Sequence, residues 1–350
     1  MEFNLPENTT LIADTARRYL KDNYRFEIYR QHLEQQNHVD ASRWSAMQEL
    51  GWFGLPFAES SGGFDGTLLD VAMVVRELGA ALCLDPYVDI VVAPGKLLEY
   101  IGSDASLAML SNVIDGRAKL ACALYDYHAG YQVLTPSMKL NGKRLSGQKN
   151  FVPDGGFADT LLTTALADGE LVVLAVPVAA CETIRHRALD GGRIANVLFD
   201  EVEITDEMIL ARGKKAEQAL SMLLAYLQAL DCARMYGAAG ALYFALKERL
   251  AEHQLQLPEG SLTRPDASMS SKSDALVPGS RIRYLAEIAD LFDEFVNQSV
   301  DEILETAPEL FQVRNAADTI FRRSQDLLQE SSNLNNQFEG TTNTFFPSVT

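Results

Sequence analysis

Positive charge is scarce in this chain. Lys and Arg number 30 against 48 Asp and Glu, giving a formal net charge of −18. A nucleic-acid partner needs a basic surface to displace counterions, so non-specific nucleic-acid binding is excluded. Cysteine is also sparse. The four (Cys83, Cys122, Cys181, Cys232) have neither metal-ligand nor Cys-x-x-Cys spacing. They read as buried thiols in a reducing cytoplasm, with no metal site. Long apolar runs are missing too: nothing reaches the roughly 18 consecutive residues of a membrane span. The opening MEFNLPENTT has no basic stretch followed by an apolar one, so it does not read as a secretory leader. No internal repeat is visible. What remains is an ordinary globular composition, 47% hydrophobic and 22% charged over 350 residues. It is ample for two or three domains.

Periodicity divides the chain into three zones. Residues 1–118 read as helical. Asn4-Leu5-Pro6-Glu7 has the form of a helix start. TLLDVAMVVRELGAAL (67–82) puts Leu68, Val71, Ala72, Val75 and Leu78 on one face. Residues 119–212 change character. LACALYDY, VLTPSMKL, TLLTTAL, ELVVLAVPV and ANVLFDEVEI are short runs rich in Val, Leu, Tyr and Thr. Turn signals such as Asn141-Gly142 and Gly155-Gly156 separate them, which predicts a small antiparallel barrel or sandwich. Residues 213–350 return to helical spacing. One stripe is Leu220, Leu223, Leu224, Leu227 and Leu230. A second is Ile282, Leu285, Ile288, Phe292 and Phe295, and a third runs from Leu310 to Leu327. They predict an antiparallel bundle of four-helix type. A Ser-, Pro- and Asp-rich loop at 257–279 interrupts it.

Five segments resemble acyl-CoA dehydrogenases, in the family's order. They are MEFNLPENTTLIADTARRYLKD, WSAMQELGWFGLPFAESSGGFDGTLLDVAMVVRELGAAL, GKRLSGQKNFVPDGGFADTLL, NVLFDEVEITDEMILA and QFEGTTNT. The third resembles the family's Gly-x-Lys-x-Trp-Ile-Thr-Asn-Gly segment, and the last its Tyr-Glu-Gly-Thr segment. The resemblance implies an α+β fold of helical domain, middle β-domain and helical bundle. It implies an FAD-dependent oxidation of an acyl-CoA thioester at its α and β carbons. Glu339 would be the catalytic base, since Gln312 stands at the family's gapless distance before it. Phe151 would replace the tryptophan packed on the flavin. Gln312, Gly340 and Thr341 would lie along the cofactor. Taken alone, Lys149-Asn150-Phe151-Val152 reads equally well as a buried strand. His128 reads as an incidental loop histidine, and Arg234 as a snorkelling or interface arginine.

The departures from the family pattern gather at the flavin. Tyr125-Asp126-Tyr127-His128-Ala129-Gly130-Tyr131-Gln132 stands where the family has Thr-Glu-Pro-x-x-Gly-Ser-Asp. Pro153 replaces a threonine and has neither hydroxyl nor N–H. Asn315-Ala316 replaces a Gly-Gly pair, and the 257–279 loop stands where an Arg-x-x-Phe-Gly motif is expected. The pattern resembles that of a short, degenerate subunit in heterotetrameric, steroid-type acyl-CoA dehydrogenases. That resemblance implies FAD shared with, or held by, a second acyl-CoA dehydrogenase-like chain in the cytoplasm. Two other readings stand beside a working oxidoreductase subunit. One is a non-catalytic subunit that completes a partner's site. The other is a flavin-free enzyme acting on a CoA thioester.

Overall fold

A computed structural model describes residues 5–34, 39–128, 132–188 and 191–252, with side chains described up to residue 241 except at 33 and 34. Helices come first. α1 (Glu7–Asn23), α2 (Phe26–Glu34) and α3 (Ala41–Glu49) are followed by α4 (Leu68–Ala80), α5 (Ala93–Ile101) and α6 (Asp104–Ile114). α1 begins after Pro6 without a side-chain cap. Asn4, the expected cap, lies outside the described residues. α4 begins as the sequence suggests. Thr67 and Asp70 form a reciprocal capping box, satisfying donors that a helix start would leave unpaired. A π-helical turn, Tyr87–Val92, leads directly into α5.

The sheet follows: β1 (Leu120–Ala123), β2 (Lys139–Asn141), β3 (Arg144–Pro153), β4 (Thr160–Ala167), β5 (Glu170–Pro177), β6 (Glu182–Arg187), β7 (Arg193–Glu203) and β8 (Ile209–Arg212). Its order is β6-β7-β3-β2-β4-β5-β8, with β1 also on β4. It is mixed rather than purely antiparallel, because β1 and β2 both run parallel to β4. VLTPSMKL contributes only its last two residues to a strand. Pro136 interrupts it, and the backbone N–H groups of Ser137 and Met138 go to the Asp126 carboxylate rather than to a ladder. β4 and β5 join through Asp168-Gly169, both at positive φ, as a two-residue type I′ hairpin requires.

α7 (Gly213–Glu252) closes the described chain. Leu220, Leu223 and Leu230 of its predicted stripe are fully buried. One apolar cluster runs from α1 through Trp52, Phe53 and Phe57, under β5, to α7. A second lies within the sheet. Leu5–Leu255 is thus one compact unit. The second and third stripes of the predicted bundle, and the 257–279 loop, lie outside the described residues.

Candidate functional site

Two segments of divergent sequence meet on the sheet. The Tyr125–His128 loop runs beside β3. Asn150 N–H donates to the Tyr125 carbonyl at 2.8 Å, and Tyr127 N–H donates to the Gln148 carbonyl at 3.2 Å. Asp126 forms an isolated bridge with Lys149. The loop is pinned from beneath by that same pair. Lys149 is 0% exposed, and its Nζ donates to Asp126, to Thr164 Oγ1 at 2.8 Å and to the Leu124 carbonyl at 3.3 Å. Asp126 also accepts from Ser137 Oγ and Met138 N–H, each at 2.9 Å. Burial pulls the Lys149 ammonium down to about 8, against the opposing pull of Asp126. With every donor and acceptor engaged, the pair is a fastener for the loop.

Above this fastener the backbone is distorted. The β3–β7 register slips between Lys149 and Val152, a bulge that leaves Phe151 at φ 50°. Its ring is 57% exposed, and Phe151 N–H donates to Asn196 Oδ1 at 3.2 Å. A bulky residue in the left-handed region costs about 1–3 kcal/mol and persists only where its surroundings impose it. Tyr127, also exposed, lies edge-on to His128 at 4.9 Å. The site therefore shows aromatic faces to its surroundings, and its backbone donors at Tyr127, Asn150 and Phe151 are spent within the protein. That suits the face of a planar ring system. Those three N–H groups are not available to the polar rim of a flavin, and Pro153 has none to offer.

Of the expected site residues, only Phe151 falls among those described. Gln312, Glu339, Gly340 and Thr341 lie outside them. His128 is exposed and touches Tyr127, in keeping with an incidental role. Arg234 is half-buried on α7. Sequence alone places Asp126 in a divergent loop and Lys149 in a strand, without pairing them. The matching Lys of the Gly-x-Lys segment was a signal for the second, but nothing local pairs two residues 23 apart in sequence. Sequence alone likewise does not pair Asp154 with Arg193. Arg193 Nε donates to Asp154 Oδ1 at 2.6 Å, and Arg193 Nη2 donates to the Leu84 carbonyl at 3.0 Å. The cysteines are free and partly buried, and burial raises the Cys83 and Cys122 thiols above their ordinary range. Among the described residues no cluster of His, Cys, Asp or Glu could hold a metal, and no helix is long and apolar enough to cross a membrane.

Comparison with known proteins gives two kinds of match. The model of the acyl-CoA dehydrogenase N-terminal domain matches residues 6–106. YngJ of Bacillus subtilis, named as an acyl-CoA dehydrogenase, is 24% identical over 233 residues, 61% of this chain and 61% of that protein. Among solved structures, the ChsE4–ChsE5 complex from Mycobacterium tuberculosis matches with a TM-score of 0.68 at 18% identity, over 91% of this chain and 83% of that one. The second kind is different. AlkN of Alcanivorax borkumensis, named as a methyl-accepting chemotaxis protein, is 91% identical over 66 residues, 19% of this chain and 10% of that protein. The chain thus spans between a tenth and about three-fifths of the curated relatives it matches.

Proposed function

Residues 6–106 form an acyl-CoA dehydrogenase N-terminal domain, the described chain has that family's fold, and from this premise we propose that the protein is one subunit of an acyl-CoA dehydrogenase-type oxidoreductase. Its substrate is a bulky acyl-CoA thioester, and it works with a second, unlike chain of the same kind. Phe151 and Tyr127 would stack on FAD, which would supply the acceptor for the hydride leaving the β carbon. This chain supplies a stacking face, Phe151 and Tyr127, and leaves the polar rim of the ring and the pyrophosphate to the partner. The observation that carries the reading is Phe151, a ring held exposed on strained backbone at the position where the family stacks on flavin. The similarity in fold to a chain of the ChsE4–ChsE5 complex supports the partner.

The test is visible absorbance of the purified protein, alone and after co-purification with an acyl-CoA dehydrogenase-like partner. Flavin only with the partner is expected. Flavin bound tightly by this chain alone would overturn the shared site, and none in either state would favour a flavin-free enzyme.

The base is open to two readings. On the family resemblance, Glu339 removes the α-proton, its carboxylate raised toward the substrate's range by desolvation. The 91% match to AlkN favours another. Leu5–Leu255 is the acyl-CoA dehydrogenase-type unit, and Gln256–Thr350 is long enough to hold the 66 matched residues. On that reading the chain is composite, Gln312 and Glu339 belong to a chemotaxis-protein segment, and the base comes from the partner. Glu339→Gln in the partnered enzyme separates them. A loss of about 100-fold or more in kcat supports the base, and unchanged kcat supports the composite chain.

A further inference from the structure

The segment that presents Phe151 ends in a second non-glycine residue at positive φ, Asp154 (48°). Asp154 is 5% exposed and sits at the meeting point of three elements. From β7, Arg193 donates to its carboxylate at 2.6 Å, and the Arg193 carbonyl accepts from Asp154 N–H at 2.9 Å. The Asp154 carbonyl in turn accepts from Phe157 N–H at 2.8 Å, which closes the turn after β3. Arg193 is not held by Asp154 alone. Its other arm reaches the Leu84 carbonyl in the helical layer, and Leu84 N–H donates to Tyr24 Oη. The ion pair therefore ties the distorted end of β3 to the helices.

We propose that Asp154 and Arg193 are a positioning pair for Phe151, holding its ring outward while the carboxylate is charged and releasing the Phe151–Asp154 segment when that carboxylate takes up a proton. The charged groups facing Asp154 are Arg193 from β7, Asp89 from the π-helical turn and Asp85 from the turn before it. Burial comes first among the influences. Together with Asp89 and Asp85 it outweighs Arg193 and raises the acid to about 7. Protonation removes the charge-assisted bond and leaves Arg193 with Leu84 alone. The left-handed backbone at Phe151 and Asp154 then loses what over-determines it. Nothing in the family pattern demands this, since Asp154 stands where the resemblance has an amide that cannot titrate.

The consequence for catalysis rests on the reading of Phe151 as the stacking residue, but the test needs no flavin. Phe151→Trp in the full chain adds one indole to Trp44 and Trp52, so the variant minus wild-type emission reports position 151. That difference is expected to shift as a single transition between about pH 6 and pH 8, with far-UV circular dichroism constant. Adding Asp154→Asn should freeze it at its acid-side value throughout. Arg193→Lys, which keeps the charge but loses the second arm to Leu84, should move the midpoint upward. A flat profile in Phe151→Trp would overturn the proposal, whatever the fate of the double variant. So would the same transition persisting with Asn at 154. Failure of the flavin-sharing model would leave this emission transition intact, so the two ideas fail separately.

Discussion

Lys149 is a charged side chain without contact to water, and its fate depends on one carboxylate. Removing Asp126 leaves an ammonium unpaired and also strips Ser137 and Met138 of their acceptor. Asp126→Leu should therefore cost about 3–5 kcal/mol in urea unfolding. Lys149→Met should cost distinctly less, because Asp126 keeps its donors from Ser137 and Met138. Equal losses would show that the pair, not the loop it fastens, carries the energy. A second network is pH-sensitive. Arg43 can only donate, so His32 Nε2, its partner, must accept. His32 is then neutral, with its proton on Nδ1 facing Tyr24 Oη at 3.0 Å. Burial accordingly lowers the His32 pKa below its ordinary 6.5. Below that value the unfolded chain binds more protons than the folded one, so stability falls as pH drops from about 6.5. His32→Gln, whose amide can accept from Arg43 and donate to Tyr24, should flatten the change in melting temperature between pH 5 and 6.5. A dependence as steep as wild type would assign the effect to other groups.

At the scale of elements, α4 and α7 touch backbone to backbone. A Cβ on Gly79 would stand 2.1 Å from the Arg234 carbonyl oxygen, and one on Gly237 would stand 1.9 Å from that of Arg76. Neither neighbour is the end of a flexible side chain. Gly79→Ala and Gly237→Ala each gain about 1 kcal/mol of helix propensity. They must also force two buried helices apart, and a net loss of about 1–2 kcal/mol is expected. Gly240, on the same helix, faces open space. Gly240→Ala should stabilise by about 0.5–1 kcal/mol. Opposite signs in thermal unfolding check the crossing, and a stabilised Gly237→Ala would refute it. The helices themselves were legible: the apolar face of Leu68, Val71, Ala72, Val75 and Leu78 predicts α4 without reference to any neighbour. β3, β6 and β8 were less so. β6 has little buried surface, β8 is four residues long, and β3 is bulged, so each lacks the regular alternation that marks a strand.

For the whole molecule, the described surface keeps large apolar groups outward. On α7 these are Met222 (52% exposed) and Met235 (61%), and on the sheet Phe151, Ile184 and Leu198. On the proposed shared-site reading, these are places where a second chain would dock. Light scattering of the partnered protein should give a mass well above 38.6 kDa, and Met222→Glu with Met235→Glu should lower it if α7 forms the contact. A monomer in every state would remove the shared-site model along with it.

Sequence by itself determined, for the described residues, that helices precede the sheet, and its family-like segments determined the fold, because periodicity and short motifs act within a few residues. It also marked the place where Phe151 would face a ring, and the loss of hydrogen-bonding residues around it. Only the tertiary structure decided what holds that place together. Asp126 with Lys149, Asp154 with Arg193, and Gly79 with the Arg234 carbonyl are partners brought together by sheet pairing and helix crossing, and no local pattern predicts them. Their energies come from burial, and burial exists only once the chain has folded on itself.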